Sequence, residues 1–299
     1  MTYHKPVLLE EAISGLAIHP DGIYVDVTFG GGGHSSAILK RLSGGRLIAF
    51  DQDSDALANC PEDFRFVLVQ DNFRNLSERL LQLKAVPVDG ILADLGVSSH
   101  QFDTPGRGFS IRFEADLDMR MDRRRHLTAK DVVNYYPEEE LVRIFRNYGE
   151  LRQSKRIAAA IVKERGTAPI NTSAQLMNVV RGMVPRRDEH SFYAQLFQAL
   201  RIEVNDELSA LREFLEKSAA VLRRGGRLVV ISYHSLEDRL VKNFINAGNF
   251  EGDLHKDVFG NPVGLLFRPL NRKPREAGEE EQQSNPRSRS AKMRIAERV

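Results

Sequence analysis

The sequence is short of four things that would each announce a function. It has one cysteine, Cys60, in 299 residues, so no disulfide closes within the chain, which fits a reducing compartment. Its eight histidines are scattered, with no Cys/His group at zinc spacing, and no structural metal is expected. No apolar run approaches the roughly 20 residues that span a bilayer, and Met1 to Glu11 mixes charges with apolar residues, unlike a signal peptide. The net charge is only +2, too small to name a partner. A cytoplasmic protein with no membrane partner is the expectation.

What is present is an ordinary globular balance, 41% hydrophobic and 28% charged, enough for a sizeable core. The first hundred residues alternate strand and helix signals. Gly22–Val27, Arg46–Phe50, Phe64–Val69 and Val88–Ala93 are short and apolar, as buried strands are. Ser35–Leu42, a helix start at Asp53–Asn59, and Leu76–Leu83 lie between them. This rhythm predicts an α/β fold with a parallel sheet covered on both faces.

The rhythm stops near residue 101. Gln101 to Arg125 is irregular and charged, and Thr128 to Val204 is helical throughout. Thr128 with Asp131 predicts a capping box, and Pro137 with Glu138, Glu139 and Glu140 a helix first turn. Gly166 and Pro169 end one helix, Ser173 to Pro185 bounds the next, and Phe192–Val204 forms another. The α/β pattern resumes at Glu207 with a helix to Leu222, stopped by Gly225-Gly226. Strands at Arg227–Ser232, Val263–Arg268 and Ala291–Glu297 follow, with Asn271–Asn285 read as a mobile loop. The domain reading is a discontinuous core, 1–104 and 207–299, with a helical insert at 105–206.

Asp26-Val27-Thr28-Phe29-Gly30-Gly31-Gly32-Gly33-His34 ends a strand in an acid and then opens a glycine loop before a helix. Glycines let a ligand approach the backbone closely. Alone, the run is a flexible turn or a binding loop. Asp51, ending the second strand, is placed to accept both hydroxyls of a ribose, and the pair implies a nucleoside-type cofactor. The dinucleotide fingerprint wants a third glycine where Ser35 stands. Asp26 before the loop suits the amino acid part of S-adenosyl-L-methionine, and Asp94-Leu95-Gly96 ends the fourth strand in another acid. These favour the methyl donor over NAD. Asp71-Asn72-Phe73 either holds and covers an adenine or is a turn followed by a core aromatic.

HKPVLLEEA at 4–12, DVTFGGGGHS at 26–35 and DLGVSS at 94–99 are followed, in order, by RGFS at 107–110 and LDMRMD at 117–122. SYHSLEDR at 232–239 and NPRSRSAKMR at 285–294 complete the series. On these motifs, which span nearly the whole chain, it resembles the bacterial ribosomal RNA small subunit methyltransferase H family. The resemblance implies a Rossmann-like S-adenosylmethionine methyltransferase sheet with an inserted helical domain. It implies methyl transfer to the exocyclic N4 of a cytidine in 16S ribosomal RNA near the decoding site. It also implies cofactor contacts at Gly32, Gly33, His34, Asp51, Phe73, Asp94 and Gln101. His100 departs from the proline common in the family.

That chemistry needs an acceptor, because the lone pair of a cytosine amine is delocalised into its ring. Orientation alone supplies roughly 7–11 kcal/mol at best. Enzymes of this type carry Asp/Asn/Ser-Pro-Pro-aromatic after the fourth strand, whereas this chain has Asp94-Leu95-Gly96-Val97. Asp94 is therefore the catalytic candidate, with a cofactor-contacting or loop-capping acid as its plain reading. Methylation at carbon 5 needs a cysteine nucleophile, and Cys60, far from the strand ends, is read as structural. Tyr233, His234 and Ser235 follow the fifth strand. Tyr233 and His234 are candidates to shape a base pocket, with Ser235 as N-cap of the next helix. Asp116, Asp118 and Arg120 either close over a substrate or are solvated.

A flipped base needs a cationic surround. Basic clusters at 120–125, 152–156, 181–187, 268–275 and 287–294 lie mostly in the insert and the C-terminal region, as phosphate contacts would. The partner expected is 16S ribosomal RNA or the small ribosomal subunit, and a homodimer is left open. The rivals are an RNA-binding assembly factor that keeps a cofactor fold, an NAD-dependent oxidoreductase, and a methyltransferase for a protein or small molecule.

Overall fold

A computed structural model describes residues 6–299; Met1–Lys5, which hold His4 and Lys5 of the first motif and the start of the segment tested for a signal peptide, lie outside the described residues. The chain opens with α1 (Leu9–Leu16), β1 (Ile23–Asp26), α2 (Gly33–Leu39), β2 (Arg46–Phe50), β3 (Phe66–Val69), α3 (Leu76–Gln82) and β4 (Val88–Asp94). Six helices follow: α4 (Ser99–Asp103), α5 (Ala129–Tyr135), α6 (Glu138–Asn147), α7 (Ser154–Arg165), α8 (Ser173–Val179) and α9 (Glu189–Asn205). Then come α10 (Glu207–Val221), β5 (Leu222–Ser232), α11 (Ser235–Ala247), β6 (Phe267–Pro269), α12 (Glu279–Ser284) and β7 (Lys292–Arg298).

Two compact units result, one of residues 1–96 and 208–299, the other of 97–207. The first holds a seven-stranded sheet in the order β3-β2-β1-β4-β5-β7-β6. The first five of these strands are parallel; β7 is antiparallel to both β5 and β6. This is a Rossmann-like α/β sheet. Successive side chains alternate faces. Val25, Ile48, Phe50, Ile91, Leu228 and Val230 meet α3, α10 and α11 through Leu80, Phe214 and Phe244. Tyr24, Leu47, Leu92, Val229 and Ile231 meet α1 and α2 through Ile13, Leu16 and Ile38. With both faces covered, the strands are apolar throughout.

The second unit packs its helices around Leu117, Met119, Val132, Ile144, Phe145, Ile157 and Leu200. Thr128 and Asp131 form the expected capping box. The charged loop is tied by hydrogen bonds within itself. Asp118 takes two hydrogen bonds from the Arg120 guanidinium, at 2.7 and 2.8 Å, and a third from the Arg120 N–H at 3.1 Å. The fully buried Arg107 donates to the Arg120 carbonyl, and Asn205 bonds Met119 and Met121 from the other side.

Several expected elements shift. The strand expected from Arg227 begins at Leu222, with an irregular register between Val88 and Gly90 that carries it past Gly225-Gly226. The one expected over Val263–Arg268 is confined to Phe267–Pro269. Asp53–Asn59 contains a short 3₁₀ turn, and α4 sits inside the stretch read as irregular. The segment 271–285, read as a mobile loop, contains α12 and is tied down: Asn271 bonds Met293 and Ile295, and Glu281 accepts from Leu8.

Candidate functional site

Because β1, β2, β4 and β5 are parallel, their carboxyl ends share one edge of the sheet, where open α/β sheets bind ligands. Asp26 ends β1, Asp51 directly follows β2, Asp94 ends β4, and Tyr233 directly follows β5. All four belong to the first unit.

The glycine loop leads from β1 into α2. Gly32 is the N-cap of α2 with φ 74°, a left-handed conformation that a side chain would strain. Gly33 has a different reason. A Cβ there would lie 2.2 Å from Cγ of Pro6, so the N-terminal segment crosses directly over the loop. Asp51 accepts the Gly30 N–H and the Asp53 N–H, both at 2.8 Å, one on each oxygen. Each oxygen keeps a further acceptor site. Burial pushes the Asp51 carboxyl up to about 6, against the lowering effect of those two bonds.

Asp26 is an internal strut rather than an exposed anchor. It is buried, and it accepts from Ser35 Oγ at 2.7 Å and from the Thr28 N–H at 3.1 Å. The residue in the place of the third fingerprint glycine thus has its own task. Burial raises the Asp26 carboxyl as well. Thr28 joins the two acids, since its Oγ accepts the Asp94 N–H at 2.7 Å.

Asp94 is the centre of the arrangement. Its Oδ1 accepts the Tyr233 hydroxyl at 2.7 Å, and its Oδ2 faces His34 Nδ1 at 3.7 Å. Burial lifts the carboxyl to about 6, and the nearby His34 and the Tyr233 bond only partly offset this. Tyr233 is raised well above its ordinary value by burial and by the charge of Asp94. His34 is held from behind, with Nε2 3.1 Å from the Val7 carbonyl. A carbonyl only accepts, so Nε2 carries the proton and Nδ1 is the nitrogen turned toward Asp94.

The remaining candidates lie as follows. Phe73 packs on the core, its ring edge-on to Phe214 at 5.4 Å. Its neighbour Asp71 is bound to Arg79 at 2.7 Å and to Asn75, which fits the turn reading. Gln101 belongs to the second unit, where it is buried and closes a capping box with Ser98 at the start of α4. His234, not Ser235, is the N-cap of α11: its Nδ1 accepts the Glu237 N–H, and its Nε2 lies 3.2 Å from Glu237 Oε1. The glutamate three places on was the legible sign of that cap. Cys60 follows the turn after β2 and is exposed. Arg294, counted in a basic cluster, is buried against Asp238 at 2.7 and 3.0 Å and unavailable to phosphate. Sequence reasoning missed Thr28, Ser35 and the Val7 carbonyl, because none is distinctive as a residue type.

The chain matches the MraW methylase family over residues 1–299. It is 55% identical over 299 residues to the ribosomal RNA small subunit methyltransferase H of Cytophaga hutchinsonii, covering 99% of each chain. To the protein of that name from Parabacteroides distasonis it is 56% identical over 299 residues, covering 99% of this chain and 98% of the relative. Among solved structures, an rRNA methylase from Streptococcus thermophilus aligns with 100% of this chain and 99% of its own, at 13% identity and a TM-score of 0.43.

Proposed function

The chain belongs to the MraW methylase family, and from that membership we propose that it transfers a methyl group from S-adenosyl-L-methionine to the exocyclic N4 of a cytidine in 16S ribosomal RNA, near the decoding site. The observation that carries the chemistry is Asp94, held at the end of β4 between Tyr233 and His34.

The donor, when bound, supplies a methyl group on a positively charged sulfur. Gly32, Gly33 and His34 would line its loop, and the open acceptor sites of Asp51 would take the ribose hydroxyls. Phe73 and Gln101 complete the contacts that the family resemblance implies. Asp94 accepts a hydrogen bond from the target amine and draws its lone pair out of the ring. As the new N–C bond forms at the expense of the sulfur–methyl bond, whose electron pair stays on sulfur as a neutral thioether, the amine sheds a proton, for which Asp94 would be the acceptor. A carboxyl near 6 takes that proton and passes it to water at neutral pH. Tyr233 shapes the base pocket by fixing Asp94, and His234 does so by opening α11 beside it.

The unit 97–207 is proposed as the substrate-recognition domain, on the strength of its basic clusters. No described helix is long and apolar enough to cross a membrane, and the cytoplasm is the proposed location. Sedimentation at graded concentrations measures whether the chain forms the homodimer. The decisive experiment is methyl transfer to small subunits and to naked 16S RNA, with nucleoside mass analysis. N4-methylcytidine is the expected product. A methyl on carbon 5 or on a ribose oxygen, with none on N4, overturns the reading.

A further inference from the structure

The N-terminal segment is fastened at an unusual point. Leu8 is the N-cap of α1, yet its backbone is left-handed, φ 52° and ψ 38°, and its side chain makes no capping bond. A hydrogen bond that a nearby acid at the third helical position would ordinarily supply comes instead from 273 residues away. Glu281, on α12, accepts the Leu8 N–H at 2.8 Å. α12 is itself braced. Gln282 donates to the Ala277 carbonyl at 2.7 Å, and Ala277 and Ala291 share a hydrophobic cluster with Val7 and Leu8.

The peptide so fastened has a second task. The Val7 carbonyl, one bond back from the Leu8 nitrogen, holds His34 Nε2 at 3.1 Å, and His34 Nδ1 faces Asp94 at 3.7 Å. Pro6, next along, lies over Gly33 so closely that no Cβ fits between them. The chain of contacts runs Glu281, Leu8 N–H, Val7 carbonyl, His34, Asp94. The first and third links are hydrogen bonds, the second is the Val7–Leu8 peptide bond itself, the last is the 3.7 Å approach, and all lie in one compact unit.

We propose that Glu281 is a positioning residue for methyl transfer: by clamping the Val7–Leu8 peptide it sets which nitrogen of His34 carries the proton and turns the other toward Asp94. This rests on the assignment of Asp94 as the acceptor for the target amine. The left-handed Leu8 explains why a remote acid is needed. A non-glycine residue in that region is held there only when its surroundings impose it. Without Glu281 the peptide relaxes toward ordinary backbone angles, its carbonyl swings away, and the ring of His34 is free to turn.

The test uses full-length protein with Glu281→Ala and Glu281→Gln. The glutamine keeps an acceptor oxygen at the same reach and is expected to rescue. The first readout is independent of turnover: the ¹⁵N shifts of the His34 ring, assigned by comparison with His34→Asn. The parent and Glu281→Gln show the proton on Nε2, and Glu281→Ala shows a mixture of tautomers. The second is kinetics on small subunits. Glu281→Ala loses roughly tenfold in kcat, as misplacement of about an ångström or less does, with KM for the RNA unchanged. Unchanged His34 shifts and an unchanged kcat in Glu281→Ala overturn the proposal. So does a Glu281→Gln variant no better than alanine in both readouts. If the unmutated protein makes no N4-methylcytidine, the functional assignment fails instead, and the His34 spectrum still reports on the clamp.

Discussion

The hydroxyl of Tyr233 donates to Oδ1 of Asp94 across 2.7 Å, joining the first residue after β5 to the last residue of β4. The bond stabilises the ionised carboxylate against a burial that pushes its titration up to about 6. Tyr233→Phe removes it and leaves the burial. At the low end of the about 1.5–3 kcal/mol that a hydrogen bond to a charged group contributes, Asp94 is expected to titrate about one pH unit higher. A reaction that needs the ionised form then slows roughly fivefold near pH 6 and recovers above pH 8. Initial rates from pH 5.5 to 9 check this; a loss that is uniform across pH assigns Tyr233 another role.

Asp94→Asn separates catalysis from stability. Methyl transfer is expected to fall about a hundredfold or more. Folding moves the other way. The carboxyl is raised from 3.8 to about 6 on folding, so its contribution to stability is fully present below pH 3.8 and is lost as pH rises through 6. With the side chain only 22% exposed, the penalty above pH 6 is of order 2–3 kcal/mol. Thermal melts of the two proteins should therefore diverge between pH 4 and pH 7, the asparagine variant melting higher at neutral pH. A gap of constant size across that range contradicts the account.

Gly33→Ala places a methyl 2.2 Å from Pro6 Cγ. Such overpacking costs about 1–3 kcal/mol. It also displaces the segment that holds His34, so both melting temperature and donor affinity are expected to drop. Pro6→Gly clears the obstructing ring. The double variant should regain most of the stability that Gly33→Ala alone loses, as neighbouring sites that share one contact do. Strict additivity of the two single changes would show that Pro6 is not the obstacle.

The arginines divide by partner. Arg187 is 86% exposed, 3.7 Å from Asp188, and an ion pair so exposed contributes little. Arg187→Ala should weaken RNA binding modestly and reduce the slope of log affinity against log salt by about one. Arg294→Ala strips Asp238 of its buried partner and should destabilise the fold by about 3 kcal/mol. Filter binding across a salt series and chemical denaturation measure the two. Equal effects on the salt slope would place Arg294 at the RNA after all.

The sequence pattern was sufficient for the parallel strands, because a buried strand is apolar throughout and needs no distant information. Asp51 and Asp94 were therefore legible as acids at strand ends. The pairing of Asp94 with Tyr233 was not, since 139 residues separate them and nothing local marks it. His34 entered by resemblance alone. The segment around Glu281 was misread for a physical reason. It is polar and holds Pro274, a composition that suggests mobility, but its anchors are long-range hydrogen bonds at Asn271 and Glu281 and the buried Ala277. His234 was read as a pocket residue with the cap one place later at Ser235, and the geometry makes His234 the cap.

The place of β7 in the sheet has a consequence for synthesis. It lies between β5 and β6, so residues 267–269 leave the exit tunnel with no strand to join until residues 292–298 follow them. β4 likewise waits for the whole of residues 97–207 to be made before β5 can pair with it. A nascent chain halted before residue 292 also exposes one side of β5, an open edge able to recruit other strands. The sheet is thus sealed from within by the last-made of its strands.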